Sequence, residues 1–320
     1  MCGRAMNRRQ LLKSFSVLAC TPFVNGCEPV KPLSIASHVW PGYELMFLAQ
    51  SQGWLSNANL ELLTTQSATE SLLALSSAQV DGAALTLDEV LLARANGISL
   101  TIVLVFDISA GADMVLTLPE ITHLSDLKGR RIGVETSALG TLMLNKLLQH
   151  AGLNSDQLTI VHLSINEQLE AWQQGKIDAV ITYEPVAGKV LASGARLLFD
   201  SRQIPDTIFD VLAIRTDVAK QYKDTLKALT LAHFNTLSYF KHNPLDAAYR
   251  MAKRMELTGP ETLKTFRGLE LPDIHANRRY LSNKTNRLQK AATIMLEQNV
   301  LFQSRSLEGL FTDQYLPRIL

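Results

Sequence analysis

Trp40, Tyr43 and Glu44 stand within five residues of one another in the stretch SHVWPGYELMFLAQSQGWL, residues 37–55. Two aromatic rings flanking a Pro-Gly turn can stack on a flat or apolar ligand, and a carboxylate beside them can accept hydrogen bonds from its nitrogen donors. The turn separates an apolar run from an amphipathic one, so it marks the passage from a strand into a helix. The same residues also suit a structural role, in which the rings cover the end of a core and Glu44 is a first-turn acid favoured by the helix dipole.

Similar turns follow other apolar runs. TTQSATES, LTLDE, FDISAGAD, VETSALG and TYEP supply Ser67, Thr69, Thr86, Asp88, Asp107, Glu135, Ser137, Tyr183 and Glu184. Ser, Thr and Asp are ordinary helix caps when taken singly. Their convergence on one sheet edge is more telling, because ligands of open α/β sheets bind beyond the carboxyl ends of the strands. Across the segments 38–45, 64–72, 84–89, 106–118, 134–143, 182–187 and 209–212 there is no Lys or Arg, while Glu44, Glu70, Asp88, Glu89, Asp107, Asp113, Glu135, Glu184 and Asp210 supply acids. Several of these acids must serve helix dipoles. Even so, a sulfonate or nitrate site would usually offer an arginine fork or a lysine, although bare helix N-termini can hold an anion without either. The balance predicts a neutral or cationic solute with a flat or apolar part, such as a nitrogen heterocycle or an amine. The ligand-binding candidates are Trp40, Tyr43, Glu44, Ser67, Thr86, Asp88, Asp107, Glu135, Ser137, Tyr183, Glu184 and Asp210.

No HExxH, P-loop, GxGxxG or GxSxG motif occurs, and the seven histidines are scattered. His38, beside the expected mouth, fits a hydrogen-bonded structural residue better than a ligand contact. The expectation is a binding protein with no catalytic residues, metal or cofactor.

The elements that must position these groups follow a βαβα pattern. Strands are expected at 33–37, 60–64, 82–85 and 99–106, with helices starting near Tyr43, Thr69 and Leu87. A second series has strands at 131–134, 158–162, 179–182 and 195–199, with helices from about Leu139, Asn166 and Glu184. Gly53, Gly97, Gly152 and Gly194 fall where helices should stop. VDGAALTLDEVLLARANG (80–97) aligns without a gap on IDAVITYEPVAGKVLASG (177–194), which suits two similar α/β lobes facing each other, or convergence on common α/β grammar. From Asp217 onward the pattern is mainly helical.

The first 26 residues hold Arg4, Arg8, Arg9 and Lys13, no acid, and a mostly apolar run before Cys27. They read as an export signal. Cleavage before Cys20 would leave too short an apolar core, whereas VNGC before Cys27 resembles a lipobox, so Cys27 is the expected lipid-bearing first residue of the mature chain. NRRQLLK resembles the twin-arginine export motif. Residues 27–32 form a tether. The mature chain would carry 27 basic residues against 30 acidic ones, a balance that argues against a nucleic-acid partner, and its only thiol would be Cys27.

WPGYELMFLAQSQGWL, SLLALSSAQVDGAALTLDEVLLARANG, DLKGRRIGVETSALG and KIDAVITYEPVAGKVLASGA, in that order, resemble the periplasmic solute-binding proteins of the nitrate, sulfonate, taurine and thiamine-pyrimidine-precursor group. The resemblance implies a type II periplasmic binding fold: two α/β lobes joined by two crossing strands, with a helical C-terminal part that completes the first lobe and braces the second. On that template residues 33–106 and 212–320 form one lobe and 107–211 the other, with crossings near 106–109 and 206–211. It also implies capture of a small solute by a monomer in the periplasm or cell envelope, and delivery to an ABC permease. A lipoprotein that signals its ligand to a membrane sensor would share these features. Relatives that form the thiamine pyrimidine use clustered cysteines and iron, and a porphobilinogen-polymerising relative needs a cysteine for its cofactor; neither feature is found after Cys27.

Overall fold

Residues 31–282, 285–298 and 306–318 are described by the computed structural model; the export segment and Cys27 lie outside them. The first series is β1 (Leu33–Ser37), α1 (Glu44–Ser51), β2 (Leu60–Thr64), α2 (Ala68–Ser76), β3 (Gly82–Thr86), α3 (Leu87–Ala95) and β4 (Leu100–Ser109). The second is β5 (Asp113–Thr117), β6 (Arg131–Val134), α4 (Ala138–Ala151), β7 (Thr159–His162), α5 (Ile165–Gln173), β8 (Ala179–Tyr183), α6 (Val186–Ala192) and β9 (Arg196–Asp200). The chain then continues through β10 (Phe209–Arg215), α7 (Thr216–Ala219), α8 (Lys223–His242), α9 (Pro244–Met255), α10 (Gly259–Thr265), β11 (Leu269–Glu270), α11 (Ile274–Leu281) and α12 (Arg287–Gln298).

Two sheets result, ordered β11-β4-β10-β3-β1-β2 and β7-β6-β8-β5-β9. Strands β1, β3 and β4 are buried along their whole length, as expected of central strands covered by helices on both faces. The chain leaves the first sheet after Ser109 and rejoins it at Phe209, so Asp107 and Asp210 belong to paired strands rather than to free crossings.

Strand β5 is absent from the sequence-based expectation. Its apolar run is short, and it is held in place by β8 and β9, more than sixty residues away, through pairs such as Val115 with Ile181 and with Phe199. Helix α6 begins at Val186 rather than Glu184, because Glu184 and Pro185 form the preceding turn and the Glu184 carboxylate accepts the Gly188 N–H at 3.1 Å.

The segments 80–97 and 177–194 fold alike, as β3–α3 and β8–α6, each followed by a positive-φ glycine, Gly97 or Gly194. They also occupy equivalent places. Strand β3 lies between antiparallel β10 and parallel β1, and β8 between antiparallel β5 and parallel β6. The C-terminal helices attach to the first lobe: α8 packs on α1 and α12 on α3. On α11, buried Asn277 accepts the Val105 N–H at 2.7 Å and donates to the Val105 carbonyl at 3.0 Å. Arg287 of α12 pairs with Asp206 on the return crossing.

Candidate functional site

The strand ends of both lobes meet around a narrow pocket lined by His38, Trp40, Tyr43, Ala68, Thr86, Glu89, Asp113, Glu135, Leu139, Tyr183 and Asp210. Its free space is about 10 Å³ for the centre of a water-sized sphere, room for about one water, so the walls nearly touch. The first lobe supplies His38, Trp40 and Tyr43 from the β1–α1 turn, and the second supplies Tyr183 from the end of β8. Trp40 and Tyr183 meet edge to face at 5.8 Å, His38 and Tyr43 at 5.4 Å, and His38 and Tyr183 at 6.1 Å. The result is an aromatic enclosure drawn from both lobes.

The turn that carries these rings is fixed by the acids behind it. Trp40 Nε1 donates to Asp107 Oδ2 at 3.1 Å, and the Tyr43 hydroxyl donates to Asp210 Oδ1 at 2.5 Å. Gly42 is required for space: a Cβ there would lie 1.7 Å from Asp107 Oδ2. Asp107 and Asp210 oppose each other across β4 and β10, an arrangement that is unfavourable for two charges. In the matched register of the two lobes, Asp210 pairs with Thr86 and Asp113 with Tyr183, so each lobe places one aspartate beside the last residue of its repeated strand.

Burial governs how these acids ionise. It pushes Asp107 and Asp113 up to about 7, and pushes Glu89 up to about 8 with help from neighbouring Asp88. Asp88 rises to about 6 by burial, Glu135 is raised by burial, and Asp210 lies well above the usual carboxylate range through burial and then Asp107. Burial, and then the charge on Arg254, lowers His38 to about 4, so its ring is neutral at physiological pH. Among the described residues, Glu89 Oε1, Asp107 Oδ1, Asp113 Oδ2, Asp210 Oδ2 and the Tyr183 hydroxyl are buried without a hydrogen bond.

Of the candidates read from sequence, Trp40, Tyr43, Thr86, Glu135, Tyr183 and Asp210 line this pocket, and Asp107 stands directly behind Trp40. Glu44 does not line it: it is buried against Arg254 of α9, which donates to its carboxylate at 2.9 Å. Arg254 also bonds Thr64 and lies 3.4 Å above the centre of the Phe47 ring. Ser67 and Ser137 act as helix caps, accepting the Glu70 N–H at 3.2 Å and the Gly140 N–H at 3.0 Å. Glu184 is held by its own turn. Asp88 faces an adjoining, wider space, which Ser137 also lines. His38, Glu89 and Asp113 line the pocket but were not among the candidates; Glu89 and Asp113 had been counted only as acids of the mouth segments.

Two lobes of repeated α/β design, closing aromatic and acidic strand ends on one another, define a periplasmic-binding-protein-like fold. The chain belongs to the NMT1/THI5-like family, whose model matches residues 40–247. It is 29% identical to the taurine-binding periplasmic protein of Escherichia coli (strain K12) over 127 residues, a match spanning 39% of each chain and so less than half of that relative's length. The periplasmic aliphatic sulphonate binding protein of Escherichia coli superposes with a TM-score of 0.72 at 19% identity, over 90% of this chain and 99% of that one. A desulfurization enzyme shares the fold, with a TM-score of 0.63 at 17% identity over 88% of this chain and 97% of its own.

Proposed function

We propose that this protein is an extracytoplasmic solute-binding protein that captures a small neutral or cationic organic solute between its lobes and passes it, chemically unaltered, to an ABC importer. One observation carries this reading: the pocket is walled by aromatic rings and buried carboxyl groups, with no Lys or Arg in its lining. Arg254, whose charge acts on His38, is already paired with Glu44. An anion placed there would meet acids and no counter-charge, whereas an amine or the N–H edge of a heterocycle would satisfy oxygens that otherwise lack partners. The rings add stacking or cation–π attraction. On this reading the sulfonate named for its relatives does not transfer to this chain.

Calorimetric titration of the full-length protein tests the reading. Amines and nitrogen heterocycles should include tight binders, and at one hundred times Kd a binder should stabilise the protein by about 2.7 kcal/mol. Tight binding of taurine or nitrate, with no response to any amine or heterocycle, would overturn it.

We further propose that Cys27 carries the lipid that anchors the mature chain in the cell envelope. Cys27→Ser should move the protein from the membrane fraction to the soluble one and remove the lipid mass from its N-terminal peptide. Unchanged fractionation, with no lipid on the native peptide, would reject this.

A further inference from the structure

Beside the narrow pocket lies a vestibule of about 550 Å³, bounded by Leu72 of α2, Asp88 and Leu92 of α3, Leu142 of α4 and Met295 of α12. Asp88 and Glu89 are consecutive residues of α3, and each faces a different space: Glu89 lines the inner pocket and Asp88 the vestibule. Asp88 is only 5% exposed, and neither of its carboxylate oxygens has a hydrogen bond of good geometry, although the Thr86 hydroxyl and the first-turn amides of α3 lie nearby. Lys146 also borders the vestibule, at the end shared with the groove between α4 and α12.

Resting on the solute-binding reading above, we propose that the solute is an elongated organic dication, with one nitrogen centre in the aromatic pocket and a second in the vestibule against Asp88. The two spaces call for the second centre: among the described residues, unpartnered oxygens of Glu89, Asp113 and Asp210 belong to residues lining the inner pocket, whereas Asp88 lines the vestibule, so an ammonium held in the inner pocket leaves Asp88 without a partner. Side chains on consecutive helix residues diverge by about 100°, in keeping with Glu89 lining one space and Asp88 the other. Leu72, Leu92, Leu142 and Met295 line the vestibule with Asp88, an apolar surround that suits the carbon chain of an organic cation. Among the described residues no group of three or more His, Cys, Asp or Glu is arranged to hold a metal ion.

The test compares α,ω-diaminoalkanes of three to six carbons with n-alkylamines of equal length on the full-length protein. The best diamine should bind at least tenfold more tightly than its monoamine. Asp88→Asn should remove that advantage, so that diamine and monoamine bind the variant alike. Thr141→Lys, at an exposed position bordering the vestibule, should weaken diamine binding with no loss of melting temperature, which keeps the test valid if the Asp88 variant folds poorly. Equal affinity for both series, or diamine binding insensitive to both variants, would overturn the dication while leaving a monocationic solute in place. Binding of sulfonates and of neither amine series would instead defeat the solute-binding reading on which the dication rests.

Discussion

Gly42→Ala is expected to weaken binding of any amine that the native protein holds by at least a hundredfold and to lower its melting temperature. The added Cβ would lie 1.7 Å from Asp107 Oδ2 and 2.8 Å from its Cγ. Asp107 cannot swing clear, since it is fully buried on β4 and holds Trp40. The clash therefore displaces either the turn that carries Trp40 and Tyr43 or the acid behind it, and both belong to the same enclosure. Overpacking of this kind typically costs about 1–3 kcal/mol. Adding Asp107→Gly to Gly42→Ala should restore part of the lost stability, because the second change removes the atoms in the way. Native melting temperature and affinity in the single variant would show that the turn yields freely.

Between pH 5 and pH 8 the ligand-free protein should lose stability as pH rises, while amine binding strengthens. Asp88, Glu89, Asp107 and Asp113 have folded-state pKa values of about 6, 8, 7 and 7, each above the value of a free carboxyl group. In this window the folded state binds more protons than the unfolded one. Stability thus begins to fall as pH passes the free-acid range near 4, and continues to fall until these groups have ionised in the folded state. A bound cation favours the ionised carboxylates and displaces their protons, so each proton released raises the association constant about tenfold per pH unit. His38 and His233, lowered by burial to about 4 and about 3, oppose the stability trend below about pH 6.5, where only the unfolded chain protonates them, but the four raised acids outnumber them. Thermal melts across the window, and titrations in buffers of different ionisation enthalpy, check both effects. A melting temperature that rises from pH 5 to pH 8, or binding that weakens, would refute the assigned ionisation.

Periodicity was enough to bring Trp40, Tyr43, Thr86, Glu135, Tyr183 and Asp210 to one edge, because α/β units place the carboxyl ends of their strands together. It could not show which strand-end residues face inward. Ser67 and Ser137 have the same local pattern as a ligand contact, yet their hydroxyls satisfy helix amides. The different destinations of Asp88 and Glu89 depend on the phase of α3, which a one-residue shift would reverse. Arg254 was out of reach for another reason: it lies 210 residues beyond Glu44, in a helix with no motif, and only tertiary packing brings them together. Strand β5, and with it the placement of Asp113 beside Tyr183, likewise depends on pairing between distant segments. The short match between 80–97 and 177–194 did foretell the equivalent halves, since the two segments fold as the same unit in equivalent sheet positions.

Asp107 and Asp210 stand on the paired central strands of the first lobe, whereas Tyr183 comes from the second. Capture and release consequently depend on different forces. At a pH high enough to ionise these acids, a cationic solute arriving while the lobes are apart meets the carboxylates of the first lobe, so its association rate should fall as added salt screens their attraction. Departure requires Tyr183 to withdraw from Trp40 and His38, a separation of rings that salt barely affects. Ionic strength should therefore change how often this protein is loaded far more than how long it stays loaded.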